Sequence, residues 1–172
     1  KGVNVFNTPA SSSQSVAELV MGHLFGAVRF LYDANREMPT KGVSDFKMLK
    51  KKYAKGIELR GKTLGILGFG RIGQALASYA LGCGMNVLAC DIVGGPFDIE
   101  VSVSGQKVNV NVQGVSKEQL LKQSDFLSVH IPSTDKPVIG STEFEKMKDG
   151  SIILNAARGG SIDEDALLEA LN

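Results

Sequence analysis

Hydrophobic spacing changes character along the chain, and the change predicts its elements. From Val16 the apolar positions Leu19, Val20, Leu24, Ala27, Val28, Phe30 and Leu31 recur at helical intervals. That stripe predicts one amphipathic helix over residues 15–36. Ser13 or Ser15 is the expected cap, with Glu18 completing a capping box from Ser15. Pro39 and Gly42 are expected to close the helix. His23 falls on the apolar side and is expected to be a packed core residue. Ahead of the helix, Val3 and Val5 alternate with polar neighbours, predicting a short strand over residues 1–7 that Thr8-Pro9 ends. Behind it, residues 41–60 carry Lys47, Lys50, Lys51, Lys52 and Lys55. They predict a solvated loop or short helix, with a positive rim for an anionic ligand as the sharper alternative.

From Thr63 onward short apolar runs alternate with helical patterns. Residues 63–67, 86–90, 126–131 and 152–154 predict buried strands. A helix is expected from the glycine turn at 68–73 to about Leu81, and Ser116 with Gln119 forms a capping box for another. Thr142 with Glu145, and then Asp163, are the expected caps of two more, with Gly150 ending the first. Ile99, Val101 and Val103, then Val108, Val110 and Val112, alternate with polar residues around residues 104–107. They predict a β-hairpin, expected to be a surface decoration. The fold class is therefore α/β: a doubly wound parallel sheet, Rossmann-type, with a long N-terminal helix and an inserted β-hairpin. Residues 1–14 are expected to be the end of a preceding segment or linker, and residues 15–172 one cofactor-binding domain.

Composition narrows the partners. Of 172 residues 43% are hydrophobic and 22% charged, which is ordinary for a globular domain. The net charge of +1 gives no basic face for nucleic acid. No apolar run approaches the roughly 18 residues a membrane helix needs, and no membrane association is expected. Cys83 and Cys90 lack metal-type spacing. Two free thiols in a reducing, cytoplasmic compartment are the simplest expectation, with no metal.

The chemistry concentrates in the run from Lys62 to Asp91. The strand of residues 63–67 leads directly into Gly68-Phe69-Gly70-Arg71-Ile72-Gly73, then a helix, a second strand and Asp91. Gly68 permits the sharp turn, Gly70 lets a pyrophosphate approach the main chain, and Gly73 lets the helix lie close to the strand. The helix N-terminus offers free N–H groups and positive potential to phosphates. Asp91 stands where an acid accepts hydrogen bonds from the adenosine ribose and repels a 2′-phosphate. Residues 92–95 bring no Arg or Lys to offset it, so NAD is expected rather than NADP.

Two further strand ends carry candidates. Arg158 follows a buried strand between Ala156, Ala157, Gly159 and Gly160. A guanidinium there can grip the carboxylate of a 2-oxo or 2-hydroxy acid with two parallel bonds. His130, before Ile131-Pro132, is expected to be a structural turn residue rather than a proton donor.

The pieces NTP and SVAEL near the start, GKTLGILGFGRIG, Asp91, SVHIP and NAARGGSIDEDALLEAL resemble the D-isomer-specific 2-hydroxyacid dehydrogenases, in the family's order and over nearly the whole chain. The stretch KKKYAKGIELRGKTLGI is more similar to the phosphoglycerate branch than to the glyoxylate or lactate branches. The resemblance implies that Arg71 and Ile72, with Asp91, contact NAD. It implies that Ile131 through its backbone, Pro132 beside it, and Ala156, Ala157 and Arg158 line the nicotinamide half, with Arg158 the catalytic, substrate-binding arginine. It also implies hydride transfer to or from a small 2-hydroxy or 2-oxo acid, 3-phospho-D-glycerate first, and a homodimer built on the long helix. A glyoxylate or hydroxypyruvate reductase and an NAD-sensing corepressor are the alternatives. Two departures bear on this. The family's glutamate and acid–base histidine lie downstream of the arginine loop and outside these residues, so the chain alone is expected to bind NAD without turnover. Ala10-Ser11-Ser12 replaces an asparagine-bearing loop that touches substrate in some relatives, with Ser12 at the asparagine's place.

Overall fold

A computed structural model describes residues 2–8 and 10–172. Its elements run α1 (Ser13–Val28), α2 (Leu31–Tyr53), β1 (Thr63–Leu67), α3 (Arg71–Gly82), β2 (Asn86–Cys90), β3 (Phe97–Val103) and β4 (Gln106–Gly114). They continue with α4 (Lys117–Gln123), β5 (Phe126–Val129), α5 (Ser141–Phe144), β6 (Ile152–Asn155) and α6 (Glu164–Ala170). The strands form one sheet in the order β3-β4-β2-β1-β5-β6. All neighbours are parallel except the β3–β4 pair.

Strand alternation sorts the side chains onto two faces. Leu64, Ile66, Val87, Ala89 and Phe126 join α1 and α3 in one apolar core. Leu67, Leu88 and Leu127 face the other way, onto Leu120 and Leu121 of α4 and Ile139 and Ile162. Helices thus cover both faces, as the α/β alternation predicts. The chain leaves β1 for β2 on one side and returns to β5 on the other. The crevice where strand order reverses therefore opens at the carboxyl ends of β1, β2 and β5. None of the helices is long and apolar enough to cross a membrane among the described residues.

The N-terminal half departs from the sequence expectation. Residues 2–8 form no strand, while Lys1 and Pro9 lie outside the described residues. The cap of α1 is Ser12, without a side-chain bond, rather than Ser13 or Ser15. Glu18 instead accepts the Tyr79 hydroxyl of α3 at 2.8 Å, and Gln14 accepts it at 3.0 Å, tying the two helices together. The single helix over 15–36 is two, divided at Phe30, which sits at φ 54° in the left-handed region. Pro39 and Gly42 lie inside α2, with Pro39 exposed, so its missing donor costs no buried bond. A kink at Asp45 (φ −121°) bends α2 so far that Glu37 meets Lys52 at 2.8 Å and Tyr53 Oη at 2.5 Å. The basic stretch is thus mostly helix, held partly by its own acid. His23 is exposed; Ala17, Val20, Met21, Leu24 and Val28 carry the buried stripe.

The hairpin is also more than decoration. Leu88 and Ala89 of β2 pair with Gln113 and Gly114 of β4, which extends the main sheet. Ile99 and Val112 are core residues. In the C-terminal half the Ser116–Gln119 capping box and the Asp163 cap stand as expected. The helix after Ile139 is capped by Gly140, whose N–H donates to Glu143 (3.0 Å), not by Thr142 with Glu145. β5 ends at Val129 rather than Ile131.

Candidate functional site

The glycine turn leaves β1 at the crevice. Gly68 adopts φ 92°, and a Cβ there would meet the His130 carbonyl oxygen at 2.6 Å. The turn therefore lies directly on the chain leaving β5. At Gly73 a Cβ would meet the Gly68 carbonyl oxygen at 2.5 Å and Ile66 Cγ2 at 3.1 Å, so α3 seats against β1 only without a side chain there. Gly70 differs: a Cβ would meet nothing within 4 Å, leaving bare main chain facing open space. Between them Phe69 is 3% exposed, its ring 4.7 Å from that of Phe97 on β3. The hairpin thus buttresses the turn.

Asp91 closes the other side. Its Oδ2 accepts the Phe69 N–H at 2.6 Å, and its Oδ1 accepts the Val93 N–H at 3.2 Å. An ionised carboxylate has about four acceptor sites, so the group remains half-exposed with capacity for a ligand's hydroxyls. A cavity of about 660 Å³ lies here, lined by Leu67, Gly68, Gly70, Cys90, Asp91, Ile92, Lys117, His130, Ile131, Pro132, Thr134 and Val138. A dinucleotide fits this site, because the cradle at Gly70 is bare and the carboxylate keeps free lone pairs.

Ile131 and Pro132 are in the walls of this cavity, whereas Arg71, Ile72, Gly73, Ala156, Ala157 and Arg158 do not line it. Arg71 begins α3 and, with Ser13, Gln14 and Gln74, lines a separate cleft of about 320 Å³. Ile72 is half-buried in the first turn of α3, and Gly73 is buried beneath the turn. The Arg158 loop lies at the carboxyl end of β6, beyond β5. Asn155 shapes it: Oδ1 accepts the Ala157 N–H and Nδ2 donates to the Arg158 carbonyl, each at 3.1 Å. Among the described residues the exposed Arg158 guanidinium donates only to the Ala157 carbonyl, at 2.8 Å. Ala156 lines a groove between α1 and β6 that also includes His23, and Ala157 is half-buried.

His130 is half-buried in the turn that follows β5. Its Nε2 lies 2.8 Å from Ser128 Oγ, and its Nδ1 is buried without a protein partner among the described residues. Burial lowers its pKa to about 4, so the ring is neutral at pH 7. Cys90 is free, and burial first, then the Asp91 charge, raises its pKa. Sequence reasoning missed Thr134, Val138 and Lys117, and took Cys90 only as a free thiol. Lys117 was within reach of the rule that ligands collect beyond strand carboxyl ends. It follows β4 closely, but only the pairing with β2 shows that this end faces the crevice.

Residues 21–172 match the family described as "D-isomer specific 2-hydroxyacid dehydrogenase, NAD binding domain". A hydroxypyruvate reductase of Thermotoga maritima is 43% identical over 98% of the chain and 50% of its own length. A D-3-phosphoglycerate dehydrogenase of Archaeoglobus fulgidus is 41% identical over 99% of the chain and 30% of its own length. The crystal structure of D-lactate dehydrogenase with NAD+ from Lactobacillus jensenii superposes with a TM-score of 0.75, at 29% identity, over 98% of the chain and 47% of that protein. The chain thus spans half or less of these relatives. Its cofactor is NAD, and the chain belongs to the D-isomer-specific 2-hydroxyacid dehydrogenases, within their NAD-binding domain.

Proposed function

We propose that this chain is the cofactor-holding part of an enzyme that transfers a hydride between NAD and carbon 2 of a D-2-hydroxy acid, with 3-phospho-D-glycerate as the substrate. One observation carries the reading: the bare main chain at Gly70 and the partly free Asp91 carboxylate line one 660 Å³ cavity at the sheet's carboxyl edge. Bound NAD supplies the hydride-accepting ring. The chain's own residues bind and orient. The main-chain N–H groups of Arg71 and Ile72, at the start of α3, serve the pyrophosphate. Asp91 takes the ribose hydroxyls. Ile131, Pro132, Ala156 and Ala157 bound the nicotinamide end. Arg158, with four of its five N–H donors uncommitted among the described residues, grips the substrate carboxylate and polarises the reacting carbon.

The substrate reading rests on the resemblance of residues 50–66 to the phosphoglycerate branch. The hydroxypyruvate reductase at 43% identity favours a second reading, the unphosphorylated three-carbon 2-oxo acid. The parent protein should oxidise NADH with 3-phosphohydroxypyruvate at the highest kcat/KM in a panel with hydroxypyruvate, glyoxylate and pyruvate. Arg158→Gln should lower that kcat/KM by at least about 100-fold, the order seen on removing one transition-state donor. A flat panel, or full activity in the variant, refutes the assignment. NADH-driven dimerisation without turnover would instead indicate the corepressor.

Residues 1–14 serve as the linker from a substrate domain, a role consistent with the exposed Val3, Val5 and Phe6. The exposed Phe25, Leu31, Tyr32, Val43, Phe46 and Met48 on α1 and α2 support a homodimer. A monomer in sedimentation at micromolar concentration would refute it. Two free cysteines support a cytoplasmic location, which cell fractionation checks.

A further inference from the structure

The wall of the cavity carries a cation that the proposed function leaves unused. Lys117 is the first residue of α4, and the Ser116–Gln119 capping box fixes its main chain. Its side chain lines the same cavity as Cys90, Asp91 and Ile92. Its Nζ donates to the Val138 carbonyl at 2.7 Å and meets Glu143 Oε1 at 2.8 Å. Glu143 Oε2 is in turn held by the Gly140 N–H at 3.0 Å.

The segment of the cavity wall from Ile131 to Val138 contains neither helix nor strand. Its far end is anchored at Val138, whose N–H donates to the Ser161 carbonyl at 2.9 Å while its carbonyl accepts from Lys117. An ammonium has three donors. Among the described residues two are committed, and the third remains for a ligand in the cavity. An acid at the end of β2 places the adenosine ribose beside Asp91, so the base lies past Ile92, between that residue and the Val138 end of this wall.

Resting on the dinucleotide reading above, we propose that Lys117 is a specificity-determining residue for the adenine half. Braced by Glu143, it fixes the outer wall of the base slot through Val138 and presents its remaining N–H to a ring nitrogen of the purine.

Calorimetric titration of the chain, Lys117→Met and Glu143→Gln with NADH, ADP-ribose and reduced nicotinamide mononucleotide tests this. Lys117→Met should weaken NADH and ADP-ribose about tenfold, the scale of one charge-assisted hydrogen bond, and leave the mononucleotide unchanged. Glu143→Gln should weaken the same two ligands about threefold. ADP-ribose binding within twofold of the unsubstituted chain in Lys117→Met overturns the proposal while dinucleotide binding stands. Equal loss for ADP-ribose and the mononucleotide also overturns it, because that is the signature of general loosening. If Lys117→Met fails to fold by circular dichroism, Glu143→Gln decides by the same criterion. An unsubstituted chain that takes neither NADH nor ADP-ribose refutes the dinucleotide reading itself, and this proposal with it.

Discussion

Gly70 and Gly73 stand three residues apart in one turn, and alanine at each should fail in opposite ways. At Gly73 the new methyl meets the Gly68 carbonyl oxygen at 2.5 Å and Ile66 Cγ2 at 3.1 Å. The first of these is main chain in a turn already held against His130, so it cannot rotate away. Overpacking of this kind costs about 1–3 kcal/mol, and immovable main chain puts the site at the upper end. Alanine recovers about 1 kcal/mol of helix propensity, which leaves a net loss of about 2 kcal/mol. At roughly 2–4 °C per kcal/mol for a domain of this size, Tm should fall by about 4–8 °C. At Gly70 the main chain sits at φ −74° and ψ −162°, which alanine tolerates, and its methyl meets nothing within 4 Å. The loss there is only the cap preference of glycine over alanine, under about 1 kcal/mol. The methyl does occupy the space a pyrophosphate needs, so NADH affinity should fall at least about tenfold. Thermal denaturation and NADH titration of both variants give four readings. A Gly70→Ala chain that binds NADH normally would refute the phosphate-cradle argument. A Gly73→Ala chain that melts with the unsubstituted protein would refute the account of helix seating.

Two further outcomes follow from the same site. His130 is held near pKa 4 by burial against an unfolded value near 6.5, so between those values the unfolded chain binds the extra proton and stability falls as pH drops. At about 1.4 kcal/mol per pH unit the loss is at most about 3 kcal/mol. Urea midpoints from pH 7 to 4.5 should show that slope, and His130→Gln should flatten it; an unchanged slope in the variant refutes the assignment. Asp91→Asn keeps an acceptor for the Phe69 N–H but removes the charge that repels a 2′-phosphate, so the ratio of NADPH to NADH dissociation constants should fall about tenfold. An unchanged ratio would place the source of discrimination elsewhere.

Much of the fold was legible because local signals and tertiary demands agree. β1, the glycine turn, α3 and β2 each carry their own pattern, and the Ser116 and Asp163 caps need only their neighbours. The failures occur where a distant residue decides. Nothing in the periodicity of residues 24–31 marks the left-handed Phe30. Its ring lies 6.3 Å from that of Tyr53, a partner brought back only by the kink at Asp45. Glu37 likewise finds Lys52 and Tyr53 fifteen and sixteen residues away. The buried stripe of α1 is narrower than its apolar periodicity predicts. Leu19, His23 and Ala27 form a flank facing the groove beside β6, while the buried line is narrower.

The site divides along the same boundary. Glycines report their role locally, through φ or close approach, so Gly68, Gly70 and Gly73 could be read in order. The hairpin could not. Alternating valines declare two strands but not their neighbour, and the pairing of β4 with β2 determines what those strands do. Once β4 joins the sheet, Phe97 reaches Phe69 in the heart of the turn. The carboxyl end of β4 then opens on the crevice, and Lys117 enters the cavity wall. One strand pairing that periodicity does not show therefore concealed both the brace behind the glycine turn and the cation in the cavity wall. A sequence in which alternation beyond the second strand is read first as a continuation of the sheet would expose both.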